Sequence, residues 1–335
     1  MTAMAKAAPK VSVLMSVYNG ELYLREAIES ILNQTFEDFE FIIINDGSTD
    51  ASQEIIDSFN DRRLVVIQQE NIGLTQSLNK GLKIARGEYI ARQDADDISF
   101  PNRFEKQVAY LDAHLKVAVL GGAIIRIDEK GNPLCKFVFP QSHEEIKKKL
   151  YKTENQLAHT TVMFRKQQIN SLGNYNEIFE KCEDYELWLR VSHKFRLHNL
   201  SDVLAYHRFH IGSVTQSGNE SKWLKNIPLA LKIAVEQKRL GIYLPDSPYW
   251  KDFLVDFEKW YKTVSKVHER CFKANKMLKL SQACLANGNY LHAIQLLLRS
   301  IYTFPRILNS MPKRIIRYIR DTDIEQLRKL VTIWS

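Results

Sequence analysis

Residues 11–50 read VSVLMSVYNGELYLREAIESILNQTFEDFEFIIINDGSTD, and their pattern predicts the fold class. Two short runs rich in Val, Ile and Phe, at 11–17 and 39–44, flank a segment whose apolar residues recur every three or four positions, at 22–32. A buried strand, a helix that covers one face of the sheet and a second buried strand form the βαβ unit of parallel sheets. The pattern therefore predicts an α/β fold that begins with such a unit.

The same alternation continues as far as residue 121. Further apolar runs predict strands at 64–68, 89–92 and 117–120, and amphipathic segments predict helices at 51–59, 74–85 and 103–111. We predict from this alternation a doubly wound, mostly parallel sheet. Because open sheets of this kind bind ligands beyond the carboxyl ends of their strands, we expect the functional residues to follow the strands directly.

The chain of 335 residues is long enough for one large unit and a smaller one. We predict a flexible start at residues 1–9, an α/β domain at 10–219 and a basic helical region at 220–335. Within the α/β domain the pattern loosens after residue 121, so we separate an ordered half, 10–121, from a second half, 122–219.

Charge is concentrated in the tail. The net charge is +8, and the part from residue 220 holds 21 Lys or Arg against 10 Asp or Glu. A basic tail predicts an anionic partner, which could be a membrane surface, a phosphate-bearing acceptor or nucleic acid, although a solvated helical face would look the same. Lys313, Arg314, Arg317 and Arg320 alternate with apolar residues, as in an amphipathic helix that lies on a membrane.

Cysteine usage and hydropathy predict the compartment. The four cysteines have no CxxC spacing, which favours reduced thiols over disulfides or a zinc site. No apolar run resembles a signal peptide or is long enough to span a bilayer. We therefore expect a cytoplasmic protein, held through its tail at the inner face of the cell membrane.

The segment Asp94-Ala95-Asp96-Asp97 directly follows the strand predicted at 89–92. Three carboxylates within four residues repel one another unless a cation joins them, and a hard divalent ion takes oxygen ligands. The alternative is a turn whose aspartates cap the helix after Pro101.

The order of four segments strengthens the interpretation of Asp94–Asp97 as a cation site. They are VSVLMSVYN at 11–19, NDGSTD at 45–50, GEYIA at 87–91 and DADD at 94–97. Together they resemble family 2 of the inverting glycosyltransferases, which have the GT-A fold. Within this family they resemble the enzymes that synthesise bacterial surface polysaccharides. The resemblance covers about residues 10–212. It implies the transfer of a sugar from a nucleotide-diphosphate donor, with UDP as the nucleotide, to an acceptor hydroxyl, and it makes residues 10–121 the donor half and 122–219 the acceptor half.

The resemblance also implies roles for single residues. The nucleotide would be bound by the ends of the first, second and fourth strands, namely by Ser16, Val17, Tyr18, Asp46, Asp94 and Ala95. Asp46 would recognise the base, Asp94 the ribose side, and Asp96 would hold the Mn²⁺ or Mg²⁺ ion that bridges the diphosphate. Asp46-Gly47 is also what a tight turn requires, and both interpretations can hold together.

The segment CEDYELWLR at 182–190 resembles the family's ED motif at the start of a helix, whose acidic residue is the general base. Inversion needs a carboxylate on the face opposite the leaving group, where it takes the acceptor's proton. We assign this role to Asp184, with Glu183 as the second candidate; the alternative is that Asp184 is only a helix N-cap. His159 and His210 match histidine positions of the family and could contact the diphosphate, the metal or the acceptor.

One position departs from the family. Leu78 precedes Asn79 where an arginine is common, so a contact to the donor would be missing or supplied by Arg86 or Arg92.

Two other functions compete with sugar transfer. A nucleotidyltransferase would also bind a nucleotide on such a sheet, but no glycine-rich phosphate loop follows the first strand. A membrane- or nucleic-acid-binding protein could use the basic tail. We expect instead that the partners are a nucleotide-sugar donor, a glycan or lipid-linked acceptor and an anionic membrane surface, with no nucleic acid.

Overall fold

A computed structural model describes residues 8–210, 220–259 and 261–262. The predicted boundary at residue 219 lies outside the described residues, as do most of the predicted flexible start and the basic cluster at 313–320. The described residues divide into two compact units, one made of 8–133 with 137–247 and the other of 134–136 with 248–262. No described helix is both long and apolar enough to cross a bilayer.

The strands of the described residues alternate with helices over the first half of the chain. The strands are β1 (Val11–Val17), β2 (Phe39–Asp46), β3 (Leu64–Gln69), β4 (Tyr89–Arg92), β5 (Ile98–Ser99), β6 (Val117–Ile127), β7 (Pro133–Phe137), β8 (Met163–Arg165) and β9 (Arg196–Arg208). The helices are α1 (Leu24–Leu32), α2 (Ser52–Asp57), α3 (Leu74–Ile84), α4 (Arg103–Ala113), α5 (His143–Leu150), α6 (Lys166–Asn170), α7 (Glu183–Lys194) and α8 (Glu220–Leu240).

The sheet has the strand order β3-β2-β1-β4-β8-β6-β9-β5. Parallel pairing joins β3, β2, β1 and β4, and also β6 and β9. Strand β8 is antiparallel to both β4 and β6, and β5 is antiparallel to β9. The predicted α/β class and the predicted parallel half are confirmed, and the antiparallel strands follow the parallel half along the chain.

Both faces of β1 are covered. Val11, Val13 and Met15 point to one face and belong to the same hydrophobic cluster as residues of α1 and α4, such as Ile28 and Phe104. On the other face α3 comes so close that a Cβ on Gly81 would lie 2.1 Å from a methyl group of Leu14. Burial on both faces explains why β1 reads as an almost continuous apolar run.

Pairing register brings three strand ends to one edge of the sheet. Val17 of β1 pairs with Asn45 of β2, and Leu14 of β1 pairs with Arg92 of β4. The turns after these strands are therefore neighbours. Strand β9 returns to the same edge, because it runs parallel to β6 and ends at Arg208.

Candidate active site

The loop after β4, Asp94 to Asp97, is fixed by buried amide and guanidinium groups. The Gln93 Nε2 donates to the carbonyl oxygens of Asp97 at 2.8 Å and of Asp94 at 3.1 Å. Gln93 Oε1 in turn accepts hydrogen bonds from Ser99 at 2.7 Å and from Arg103 at 3.1 Å. Since Gln93 and Arg103 are fully buried, the hydrogen bonds that fix the loop conformation come from side chains in the protein interior.

Two of its three carboxylates, those of Asp94 and Asp97, are held by the buried residues Arg92 and Arg208. Asp94 Oδ1 lies 2.6 Å from Nη2 of the buried Arg92. Asp97 is 1 % exposed and accepts the backbone N–H of Arg208 at 2.7 Å. Burial, with the charges of Asp96 and Asp94, raises the pKa of Asp97 well above its ordinary value. Asp97 therefore has a structural role in holding the end of β9.

Asp96 is the carboxylate of this loop that faces a histidine. His210 Nε2 lies 2.9 Å from Asp96 Oδ2, so the structure brings these two predicted site residues together. Burial disfavours the charged form of Asp96, but the hydrogen bond from His210 and the nearby His207 outweigh it, and the pKa of Asp96 is lowered. Asp96 is ionised at neutral pH and 30 % exposed.

Arg208 ties this loop to its surroundings. Its Nε donates to the Asp96 carbonyl oxygen at 3.1 Å, Nη2 pairs with Glu26 of α1 at 2.6 Å, and the guanidinium lies 4.4 Å from the Tyr23 ring centroid. The Tyr23 ring also packs against the His210 ring, with centroids 4.9 Å apart. A single buried arginine thus joins the end of β9, α1 and the Asp94–Asp97 loop.

Hydrogen bonds join the turn after β1 to the turn after β2. The Asn19 N–H donates to Ser48 Oγ at 3.0 Å, and the Thr49 N–H donates to Asn19 Oδ1 at 2.8 Å. Gly47 has a φ of +76°, and a Cβ there would lie 2.6 Å from the Asn71 nitrogen, so the turn requires glycine. Tyr18 is 55 % exposed at the end of β1, available to stack on a planar group.

The other predicted nucleotide residues lie on this edge. Ser16 and Val17 are the last two residues of β1. Ala95 packs against the hydrophobic core and lies 3.9 Å from the position of a Cβ on Gly20, in the turn after β1. Ser16, Val17, Tyr18 and Ala95 therefore surround the point where β1 and β4 end.

Asp46, the last residue of β2, is buried and already hydrogen-bonded within the protein. Its Oδ1 accepts from Gln69 Nε2 at 2.7 Å and from the Ile72 N–H at 3.0 Å, and its Oδ2 accepts from the Gly73 N–H at 2.9 Å. A carboxylate offers about four acceptor positions, so one is left on Oδ2. The turn role considered from the sequence is present, and base recognition is a prediction that depends on the remaining position.

Helix α7 carries the predicted general base in its first turn. Asp184 is partly exposed; its Oδ2 accepts from Asn155 Nδ2 at 2.7 Å and its Oδ1 from the Tyr185 N–H at 2.6 Å. Burial raises the pKa of Asp184 to about 6; those two hydrogen bonds oppose the rise and the charge of Asp94 adds to it. The carboxylate is thus within electrostatic reach of the Asp94–Asp97 loop.

Glu183 differs from its neighbour in accessibility. It is 5 % exposed, and its Oε2 has no hydrogen-bond partner among the described residues. Burial and the charge of Asp184 raise the pKa of Glu183 to about 8, so this side chain is largely protonated at neutral pH. A buried, protonated carboxyl is poorly suited to accept a proton from a substrate.

His159 makes a contact inside the protein. Its Nε2 lies 2.9 Å from the Tyr175 hydroxyl, and its ring packs edge-on against Trp188 of α7. Burial and the charge of Arg92 hold the pKa of His159 well below its ordinary value, so the imidazole is neutral. A contact of His159 with the diphosphate or acceptor is an untested prediction.

The two arginines considered for the missing donor contact lie at different edges of the sheet. Arg86 pairs with Glu40 at 2.6 Å, beside the amino ends of β1 and β4. Arg92 lies beneath Asp94, at the carboxyl end of β4. Only Arg92 is near the other predicted site residues.

Sequence reasoning missed Asn155 and assigned no role to Arg208. Asn155 lies in a loop 29 residues before Asp184, and no local pattern signals a contact over that separation. Arg208 is the last residue of β9 and contacts Asp96 over a separation of 112 residues, which no local pattern signals either.

Comparison with known proteins gives a consistent result. The model of Glycosyl transferase family 2 matches residues 12–173. An uncharacterised glycosyltransferase of Methanocaldococcus jannaschii is 38 % identical over 208 residues, which are 60 % of this chain and 71 % of that protein. The amylovoran biosynthesis glycosyltransferase AmsE of Erwinia amylovora is 37 % identical over 199 residues, 58 % of this chain and 74 % of that protein.

Two solved structures are similar in fold. TarS 1–349 of S. aureus in complex with UDP-GlcNAc has a TM-score of 0.56 at 21 % identity, covering 96 % of this chain and 90 % of that one. The mannosyltransferase PcManGT of Pyrobaculum calidifontis, in complex with GDP-Man and Mn²⁺, has a TM-score of 0.50 at 17 % identity, covering 89 % and 76 %.

Proposed function

The chain belongs to the family 2 glycosyltransferases and has the GT-A fold, and from this premise we propose that it transfers a sugar from a UDP-sugar to an acceptor hydroxyl with inversion at the anomeric carbon. The observation that carries the proposal is the pair of sites on one edge of the sheet. Asp96 with His210 forms one. Asp184 forms the other; it is held by Asn155, in the same segment as Thr160, whose hydroxyl accepts the Asp94 N–H. The family assignment favours sugar transfer over the nucleotidyltransferase considered from the sequence.

Asp184 is the general base of the proposal. It is partly exposed, and Asn155 and the Tyr185 N–H fix the direction of its carboxylate. With a pKa of about 6 it is ionised at neutral pH, yet basic enough to accept a proton as the acceptor oxygen attacks. Glu183 is buried and holds its own proton, which supports Asp184 over this second candidate.

Asp96 and His210 fit a divalent cation. A carboxylate oxygen and an imidazole nitrogen face each other at 2.9 Å, and both are ligand types that Mn²⁺ accepts. Within the described part of the chain no group of three or more His, Cys, Asp or Glu side chains surrounds one point. This suits an ion that takes its other ligands from water and phosphate. When bound, the cation stabilises the negative charge of the departing nucleoside diphosphate.

The residues of the chain itself bind and orient the donor. Tyr18 offers an exposed ring to the base, and Asp46 keeps one acceptor position for a base N–H. Asp94, held by Arg92, is placed for a ribose hydroxyl, beside Ala95. Arg208 keeps Asp96 in register with His210 by joining the loop to α1 and to the end of β9.

The relatives support a proposal for the substrate class. AmsE is named for amylovoran biosynthesis, and TarS is seen with UDP-GlcNAc, so we place the chain in the synthesis of a bacterial surface polysaccharide. The acceptor is then a glycan or a lipid-linked glycan, and the basic tail from residue 220 would keep the enzyme at the inner face of an anionic membrane.

A thermal-shift screen tests the donor and the metal together. UDP-Glc, UDP-Gal, UDP-GlcNAc, UDP-GalNAc, GDP-Man and free UDP are each tested with Mn²⁺ or with chelator, since a ligand that binds the native state raises the melting midpoint. We expect UDP to stabilise the wild type only with the metal, and Asp96→Ala to lose that coupling. An equal shift by UDP in excess chelator would contradict the metal assignment.

A further inference from the structure

Helix α7 is anchored by a buried ion pair on the turn that follows Asp184. Glu186 and Arg190 are 3 % and 4 % exposed, and their side chains form two hydrogen bonds, from Nε at 2.9 Å and from Nη2 at 2.6 Å. The Arg190 guanidinium also donates to the carbonyl oxygens of Leu172 and, at 2.8 Å, of Asn174. The helix is therefore fastened to the loop at residues 172–178, which we call the support loop.

The support loop contacts the candidate active site with its other side. Tyr175 is 2 % exposed and places its hydroxyl 2.9 Å from His159. Asn79 of α3 holds the Tyr175 backbone from both directions, with hydrogen bonds of 2.9 Å and 3.1 Å. Asn174, at a φ of 62°, shows that the loop has a specific conformation rather than a relaxed one.

A residue far along the chain completes this anchor. Tyr243 follows α8 and belongs to the same compact unit as the sheet. Its hydroxyl donates to Glu186 Oε1 at 2.6 Å and accepts from Asn176 Nδ2 of the support loop at 2.8 Å, while its ring lies 5.2 Å from the Arg190 guanidinium. Asn226 of α8 adds a hydrogen bond of 3.0 Å to the Glu180 carbonyl oxygen, three residues before α7.

We propose that Tyr243 is a positioning residue of the transfer reaction, which sets the place of Asp184 by holding Glu186 and the support loop together. This inference rests on the proposed function of Asp184. Tyr243 lies well beyond residues 12–173, the part that the family model matches. The segment from α8 to Tyr243 is therefore part of the catalytic unit, although it lies in the basic part of the chain from residue 220.

The physical reason is the cost of an unmet hydrogen bond. Glu186 is buried, so loss of the Tyr243 hydroxyl leaves its carboxylate short of one donor and leaves Asn176 without its acceptor. Both groups relax by moving, and Glu186 is two residues from Asp184 on a rigid helix. A displacement of about 1 Å in a reacting group can lower a rate by about a hundredfold, so even a partial shift should be measurable.

Tyr243→Phe tests the inference, because it removes only the hydroxyl and keeps the ring over Arg190. Tyr151→Phe is the matched control: Tyr151 is also partly buried, and its hydroxyl lies 2.8 Å from His193, at the other end of the same helix. We expect Tyr243→Phe to lower kcat by about tenfold or more with unchanged KM for the donor. The control should change neither.

Hydrogen exchange makes the test independent of the reaction. In the full chain without substrate, Tyr243→Phe should raise amide exchange at residues 183–187, and Tyr151→Phe should not. Unchanged exchange at residues 183–187 in Tyr243→Phe overturns the inference. So does an unchanged kcat in Tyr243→Phe, provided that the wild type is active. If the wild type transfers no sugar from any donor of the screen, the proposed function fails instead, and exchange alone decides whether Tyr243 anchors the start of α7.

Discussion

At the scale of single residues, the reactivity of Asp184 is set by a balance between burial and two hydrogen bonds. Burial raises its pKa to about 6, and the bonds from Asn155 and the Tyr185 N–H limit that rise. A general base works only when deprotonated, so the transfer rate should increase with pH through about 6 and level off above it. The pH dependence of the transfer rate should therefore report the pKa of Asp184.

Asn155→Ala tests this balance. The substitution removes a donor that favours the charged form of Asp184, so the pKa of Asp184 should rise and the acid limb of the rate profile should move to higher pH. Asn170→Ala, at an exposed position at the end of α6, is the control and should leave the profile unchanged. An acid limb that stays in place in Asn155→Ala would argue that another group titrates.

Glu183 makes a separate contribution, to stability. Its pKa is raised from about 4.5 to about 8 by burial and by Asp184, so the folded state holds a proton that the unfolded state has lost. The stabilisation is complete below pH about 4.5 and is lost as pH rises through about 8. Glu183→Gln should remove this dependence. The melting midpoint of the variant, relative to that of the wild type, should therefore rise as pH increases from 5 to 9. Parallel curves for the two proteins would show that Glu183 is not protonated when folded.

At the scale of elements, β1, β2 and β4 were predictable because almost all of their residues are buried. β1 and β4 were predicted with the observed bounds. β2 and β3 were predicted to within two residues, because both continue into polar residues, Asn45 and Asp46 in β2 and Gln69 in β3. Strand β9 was missed. Its residues alternate irregularly between exposed and buried, and its pairing with β6 contains register shifts, so it has no clean period of two.

The same reasoning explains which site contacts could be predicted. The carboxylates after β2 and β4 follow strands directly, and parallel topology alone brings strand ends together. Asn155, Arg208 and Tyr243 reach the site from distant loops and strand ends, with separations of 29 residues to Asp184, 112 to Asp96 and 57 to Glu186. Contacts of this kind depend on packing in three dimensions, which no local spacing encodes.

Arg208→Lys tests how β9 supports the Asp94–Asp97 loop. A lysine has a single ammonium group and cannot replace the bonds of the guanidinium to Asp96, Glu26 and the neighbouring carbonyl groups. We expect weaker metal-dependent UDP binding together with a loss of about 1–3 kcal/mol in the free energy of unfolding.

The control for Arg208→Lys is Arg165→Lys. Arg165 also bonds two backbone carbonyl groups, those of Val117 and Leu111, but pairs with Tyr89 at the opposite edge of the sheet. It should lose stability by a similar amount and keep UDP affinity. If Arg208→Lys binds UDP as tightly as Arg165→Lys does, Arg208 does not support the donor site.

At the scale of the whole molecule, positive charge distinguishes the part of the chain from residue 220 from the part before it. The excess of positive charge lies after residue 219, and each basic residue near an anionic surface contributes about 1 kcal/mol at most. Deletion of residues 307–335 should weaken binding to anionic vesicles and leave hydrolysis of the donor in solution near normal. Vesicle binding that is unchanged and insensitive to salt would contradict this role; binding to random DNA instead would point to nucleic acid.

The transfer rate of Asp184→Asn, measured together with its affinity for UDP, decides whether Asp184 is the general base. Asparagine keeps the shape of aspartate and can still accept a bond from the Tyr185 N–H, but it has no basicity. We predict that transfer falls by about a hundredfold to ten-thousandfold while UDP binding in Mn²⁺ is nearly unchanged. Near wild-type transfer by Asp184→Asn, with Glu183→Gln inactive, would move the base to Glu183; full activity in both variants would contradict the proposed mechanism.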